Sequence, residues 1–223
     1  ANADIITTAG GAGTINAGLG ADTVVINAGT GARTWTVDLG NDANADKIIF
    51  NNAAAGTGDN TVATVVNFNV AHDKVAVNLG ADSLTVGGFQ TIDQNPAGDT
   101  AIIAGTKVIE LHHADFVNVD LGVDTNNGAM EIEIANAIGN IAAGTYTVIV
   151  YSGSGGAASA GIYTMSVGAN SADLVAAQFT LEHFMTLSSV GFGNLTAANF
   201  AAAIDPVILD LEGDAEGLRI VAG

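Results

Sequence analysis

The feature that most limits how this chain folds is a nine-residue register with aspartate at a recurring slot. Residues Ala3–Gly29 divide into ADIITTAGG, AGTINAGLG and ADTVVINAG. Asp4 and Asp22 share one slot, with Gly13 in that slot between them, and Ile6, Ile15 and Val24 supply the apolar residue that follows. The frame returns as HDKVAVNLG (His72–Gly80) and ADSLTVGGF (Ala81–Phe89), and Asp46 precedes Asp73 by 27 residues, three nine-residue steps. A period of turn, short strand and turn is the sequence form of a parallel β-roll. One such strand cannot bury its apolar side alone, so copies stack, and stacking sets the aspartates above one another. Aligned carboxylates repel unless something neutralises them. Hard cations such as Ca²⁺ take clustered oxygen ligands of this kind.

Composition supports a turn-rich acidic chain. Of 223 residues, 17 are Asp and 6 are Glu against five Lys and Arg, for a net charge of −18. Asp suits turns and short-range ligation, whereas Glu suits helices. The 48% apolar content excludes a disordered polyanion. Nucleic acid is excluded as a partner, because phosphate binding needs a basic footprint. The absence of Cys rules out disulfides, zinc thiolates and a cysteine nucleophile. No apolar run reaches the length of a membrane span, and no N-terminal signal pattern is visible.

A longer repeat suggests a duplication. Val37-Asp38-Leu39-Gly40 matches Val119-Asp120-Leu121-Gly122, and Leu111–Phe116 matches Leu195–Phe200. Two further matches fall in the same order, at Thr61–Phe68 with Thr145–Ser152 and at Asn78–Ser83 with Ser166–Ser171. The expected organisation is all-β. Residues 1–34 form nonapeptide β-roll turns, solenoid-like; 35–116 and 117–204 form two related β-rich units, tandem duplicates sharing strand order. Residues 205–223 form a C-terminal strand, a secretion tail or the start of a further unit. Thr145–Tyr151 and Ile162–Val167 read as strands, and Ser152–Ala160 as a flexible loop. Ala172–Phe184 and Leu195–Ala203 are candidates for short helices, the second with Thr196 as N-cap.

Asp42, Asn44 and Asp46 have the alternating oxygen spacing of a calcium loop, without the Gly and distal Glu of an EF-hand. Ala17-Gly18-Leu19-Gly20-Ala21-Asp22-Thr23-Val24 carries most of the pattern G-G-x-G-x-D-x-apolar, with Ala17 at the first glycine. This resembles the RTX family of bacterial proteins secreted by the type I route. The resemblance is clearest over Ala3–Gly29 and extends more loosely over Asp46–Phe116. It implies Ca²⁺ at the acidic turns, with Asp4, Gly18, Gly20, Asp22, Asp42, Asn44, Asp46, Asp73 and Asp82 as the candidate ligands. It further implies a structural protein of the bacterial cell surface, an S-layer, surface fibre or adhesin, exported unfolded and folded by extracellular calcium. The alternatives are the non-catalytic tail of a secreted hydrolase and a module that binds a polysaccharide or a receptor.

Enzymatic chemistry is not expected. Adjacent His112 and His113 on a strand point to opposite faces and do not share one metal ion. The ingredients of a Ser-His-Asp triad lack a G-x-S-x-G context. Glu131 and Glu133 read as one solvated strand face, and a single Trp, Trp35, argues against a sugar cleft. Phe50, Phe68, Phe89, Phe116 and Phe200 read as core. Open ends of a stacked roll, and the apolar run Leu218–Ala222, predict calcium-dependent self-association into a lattice or fibre.

Overall fold

A computed structural model describes residues 2–8, 11–27, 33–51, 61–78, 88–94, 100–113, 129–152 and 158–201. Its first seven strands are β1 (Ile5–Thr7), β2 (Gly13–Asn16), β3 (Thr23–Asn27), β4 (Arg33–Asp38), β5 (Lys47–Asn51), β6 (Thr61–Val66) and β7 (Lys74–Asn78). These are short and rich in Val, Ile and Thr, and the chain sends them alternately to two sheets. Odd-numbered strands build one sheet in the order β1-β3-β5-β7, and even-numbered strands begin the other as β2-β4-β6. All of these pairs are parallel. The step from Ile5 to its partner Thr23 is two nonapeptides, one strand per sheet. From Lys47 to Lys74 the step is the 27 residues read from the sequence.

The remaining elements change the pattern. Strand β8 (Gly88–Gln94), β9 (Thr106–His113), helix α1 (Ala129–Ala137), β10 (Gly144–Ser152), β11 (Ser159–Val167) and β12 (Phe179–Leu187) follow, then the two-residue β13 (Phe200–Ala201). The second sheet grows to eight strands, β2-β4-β6-β12-β11-β10-β9-β8, and β13 closes the first beside β7. β10 and β11 are antiparallel, as are β11 and β12. The fold is mostly β, with one parallel and one mixed sheet.

The two spans expected to share a strand order differ in connectivity. Within 35–116, β4 to β7 alternate between the sheets and β8 and β9 pair in parallel in the large one, whereas 117–204 hold a helix and an antiparallel meander within one sheet. The spans are also interlocked, since β12 pairs with β6 and β13 with β7. The second half of the expected helix at Ala172–Phe184 belongs to strand β12, preceded by one 3₁₀ turn at Ala176–Gln178. The alternation Phe179, Leu181 inward against Thr180 outward has period two, which the alanines before it obscure. The second candidate helix is likewise one turn, Ala197–Asn199, and Thr196 does cap it by accepting from the Ala198 N–H. Conversely, Glu131 and Glu133 lie on α1 and not on a strand, and Glu131 is buried. The expected strands at 145–151 and 162–167 stand as β10 and β11. The loop between them falls largely outside the described residues, as do Phe116, the tail at 205–223 and the run at 218–222.

The main core lies between the sheets. Val24, Ile26, Ile48, Phe50, Val75 and Val77 from one sheet meet Ile15, Val37, Val65, Ile149 and Leu187 from the other. Trp35 sits in a row between Gly13 and Ala63, and a methyl on Gly13 would come within 3.3 Å of its ring. A second core fills the opposite face of the large sheet, where α1 supplies Met130, Ile134 and Ala137 against Ile109, Leu111, Val148 and Tyr163. Among the described residues no helix is long and apolar enough to cross a membrane.

Candidate functional site

Where chain leaves the large sheet and starts the next strand of the small one, the turns stack. Each turn ends on an aspartate: Asp4 before β1, Asp22 before β3, Asp46 before β5 and Asp73 before β7. The Asp4 N–H donates to the Asp22 carboxylate at 2.8 Å, the Asp22 N–H to Asp46 at 2.8 Å, and the Asp46 N–H to Asp73 at 3.0 Å. Backbone bonds run beside this ladder, from the N–H groups of Thr23, Lys47 and Lys74 to the carbonyls of Asp4, Asp22 and Asp46. The recurring aspartate is thus the residue whose short side chain reaches the previous turn's N–H. Alanine there would leave a buried donor without a partner.

Asp22, Asp46 and Asp73 are each at most 3% exposed. Burial raises the pKa of Asp46 and Asp73 above the ordinary carboxylate range. The charges of Asp73, Asp22 and Asp42 add to the rise at Asp46, and that of Asp42 adds to the rise at Asp73. The second oxygen of Asp22, Oδ2, is buried and has no hydrogen-bond partner. One carboxylate oxygen per rung is therefore spent on the backbone of the previous turn; at Asp73 the other oxygen accepts from the Asn69 N–H, and at Asp22 it has no partner.

The turns themselves pack closely. Gly20 and Gly40 have φ of +141° and +96°, and a Cβ on either would overlap a backbone oxygen of the neighbouring turn, Asn2 or Gly18. Asp42 joins two turns: Oδ2 accepts from the Gly20 N–H at 2.9 Å and Oδ1 from the Asn44 N–H at 2.7 Å. Those N–H donors, Asn44 foremost, hold its carboxyl below the usual range. The structure therefore gathers Asp4, Gly18, Gly20, Asp22, Asp42, Asn44, Asp46 and Asp73 in one stack of turns; Asp82 lies outside the described residues. Among the described residues, no three carboxylate or imidazole side chains converge closely enough to hold a metal ion by themselves. A cation here would be completed by turn carbonyls and water, as hard cations accept.

Sequence reasoning found Asn44 but missed Asn67 and Asn69 in this stack. The Asn69 N–H donates to Asp73 Oδ2 at 2.7 Å, and its amide donates to the Asp42 carbonyl. Asn67, at φ +59°, donates to Asp38. Asn199 was visible as the residue opposite Asp115 in a repeated motif, but that match gives no sign that its amide binds Val70 and Asp73 carbonyls.

A second polar group, also missed, lies on the large sheet. Glu110 is buried and accepts from Tyr151 at 2.6 Å, Thr91 at 2.9 Å and the Gly193 N–H at 3.2 Å. Both oxygens are thereby satisfied, and burial together with Glu110 raises the Tyr151 pKa far above its ordinary value. His112, at the strand end expected, bonds Asp93 at 3.0 Å and stacks on Phe192. This arrangement ties the β12–β13 connection to β8, β9 and β10; it presents no activated nucleophile. Comparison with protein-family models, with curated proteins and with solved structures gives no match.

Proposed function

We propose that this chain is a calcium-binding structural protein of the bacterial cell surface, a component of an S-layer, fibre or adhesin. Its first seven strands are read as a parallel β-roll. In this reading the protein is not an enzyme, it leaves the cell unfolded by the type I route, and copies associate once calcium neutralises their acidic turns. The observation that carries the proposal is the ladder of Asp22, Asp46 and Asp73, three carboxylates buried together, with Asp22 Oδ2 left without a partner. Such an array is destabilised by its own charge when no cation is present and gains from a cation that binds only the folded form. In a cytosol poor in calcium the chain stays extended and exportable; outside, calcium drives folding.

Thermal melting in chelator and in calcium tests the proposal. With an affinity on the order of 10⁻⁴–10⁻³ M, as in extracellular modules, about 10 mM calcium adds about 1.4–2.7 kcal/mol. For a chain of this size that raises Tm by about 3–11 °C. An unchanged Tm refutes calcium-coupled folding. A calcium-raised Tm with strictly monomeric light scattering refutes the assembly step alone.

A further inference from the structure

We infer that the side-chain amide of Asn199 is a built-in substitute for a cation, closing the last rung of the aspartate ladder. At every earlier rung, the carbonyl of the aspartate accepts a backbone N–H from the next turn, as Asp4 does from Thr23, Asp22 from Lys47 and Asp46 from Lys74. The Asp73 carbonyl, at the end of the ladder, takes a different donor. Asn199 Nδ2 donates to it at 3.0 Å and to the Val70 carbonyl at 2.8 Å. The amide lies between two main-chain oxygens from one turn, with one hydrogen for each.

Its orientation is fixed from the other side. Asn199 Oδ1 accepts from the Thr196 N–H at 2.9 Å, so the oxygen cannot exchange places with the nitrogen. The side chain is 3% exposed. The one-turn helix Ala197–Asn199 delivers it, and Phe200, which follows on β13, is anchored in the core against Phe89 at 5.9 Å between ring centres. A buried, oriented donor of partial positive charge facing two carbonyls occupies the place a hard cation takes between such oxygens. Aspartate at 199 would set a carboxylate oxygen against those carbonyls. An ionised carboxylate is held there only when a cation bridges the three oxygens; without one it must take up a proton.

The inference deepens the calcium reading of the turn stack, and its arm in chelator stands apart from that reading. The intact chain and the variants Asn199→Ala and Asn199→Asp are melted in chelator and in about 10 mM calcium, the range suited to extracellular calcium modules. Asn199→Ala, which strands two buried carbonyls, is expected to melt at least about 4 °C below wild type in both conditions. Asn199→Asp is expected to fall at least as far in chelator, and to recover in calcium by more than wild type gains. Calorimetry then counts one more calcium ion for Asn199→Asp than for wild type. The inference is overturned if Asn199→Ala melts with wild type, if Asn199→Asp melts with wild type in chelator, or if Asn199→Asp stays unfolded or unrescued in calcium. A wild type indifferent to calcium beside a rescued Asn199→Asp overturns the calcium reading of the native stack and leaves the cap standing. The reverse result removes the cap and leaves that reading.

Discussion

Two substitutions at Asp46 separate what its carboxylate does as an acceptor from what it does as a charge. Asp46 accepts the buried Asp22 N–H at 2.8 Å, and its own N–H donates to Asp73. Asp46→Ala removes the acceptor and keeps the backbone donor. A hydrogen bond to a charged group contributes about 1.5–3 kcal/mol, and the stranded Asp22 N–H has no water to turn to. Against this, alanine also removes a charge whose neighbours repel it. Two unit charges one strand spacing apart, about 4.8 Å, repel by about 3.5 kcal/mol at an effective dielectric of 20 and by about 0.9 kcal/mol at 80. The two effects are of one size and opposite sign, so Asp46→Ala alone is a poor test. Asp46→Asn resolves it, because the amide oxygen still accepts from Asp22 while the charge is gone.

In chelator at neutral pH, Asp46→Asn is expected to melt above Asp46→Ala. The amide oxygen is a neutral acceptor, so the difference is the penalty of a stranded buried N–H, about 1–3 kcal/mol, or about 2–12 °C for a chain this long. It is also expected to melt at or above wild type, since burial and like charges raise the Asp46 pKa and disfavour its ionised form. On the calcium reading, the order of wild type and Asp46→Asn is expected to reverse in calcium, because the variant would lose a ligand charge. Circular dichroism melts in the two buffers suffice. If Asp46→Asn and Asp46→Ala coincide, the ladder contributes no directional hydrogen bond, and stacking must be assigned to the cores alone.

The pH dependence without divalent cation follows from the same groups. Asp46 and Asp73 have folded pKa values raised above the unfolded ones, so the folded state binds more protons and stability falls as pH rises. Their contribution is greatest below about 3.8 and is lost as pH passes through the raised folded values; urea midpoints between about pH 4 and 7 that rise with pH would contradict this. Gly40→Ala is expected to destabilise by about 1–3 kcal/mol from its φ of +96° alone, and further because the new Cβ meets the Gly18 carbonyl at 1.8 Å. A urea midpoint equal to wild type would show that the turns are not packed as described.

The turn, short strand and turn of β1 to β3 were legible because the signal is local, whereas the alternation between two sheets as far as β7 was not part of the expectation. A nonapeptide fixes turn, strand and turn within itself, and the slots of Asp4, Asp22, Asp46 and Asp73 became the starts of four stacked strands. The spacing from Asp22 to Asp46, 24 residues, is no multiple of nine, yet both join the ladder at 2.8 Å. The extra residues lie on both sides of β4, since Gly13 pairs with Trp35, 22 residues on, and Thr23 with Lys47, 24 on, so register is set by where the N–H meets the carboxylate and not by period alone. The chain beyond β7 was less legible, for reasons of distance and of helical signal. Asn199 reaches Asp73 across 126 residues, and Gly193 reaches Glu110 across 83; neither pairing leaves a mark on nearby residues. Helix α1 reads AMEIEIANA, whose alternating Glu and Ile imitate a strand. Its apolar residues face a core contributed by β9, β10 and β11, and that tertiary context decides the conformation.

The ladder also bears on why its rung beside β7 takes a different donor. Each added aspartate rung supplies one backbone-to-carboxylate bond, and each also sets a new charge about one strand spacing, about 4.8 Å, from the last. By the magnitudes above these nearly cancel, so a long ladder gains little from its side chains without neutralisation. Among the described residues, the ladder meets this beside β7. Asp73 lies buried, and there the next side chain on the stack is an amide, Asn199, which gives hydrogen bonds and adds no charge. A carboxylate in that place would be the fourth buried one in the series after Asp22, Asp46 and Asp73. The change from Asp to Asn at the last rung follows the step at which another uncompensated charge would cost more than its hydrogen bond returns.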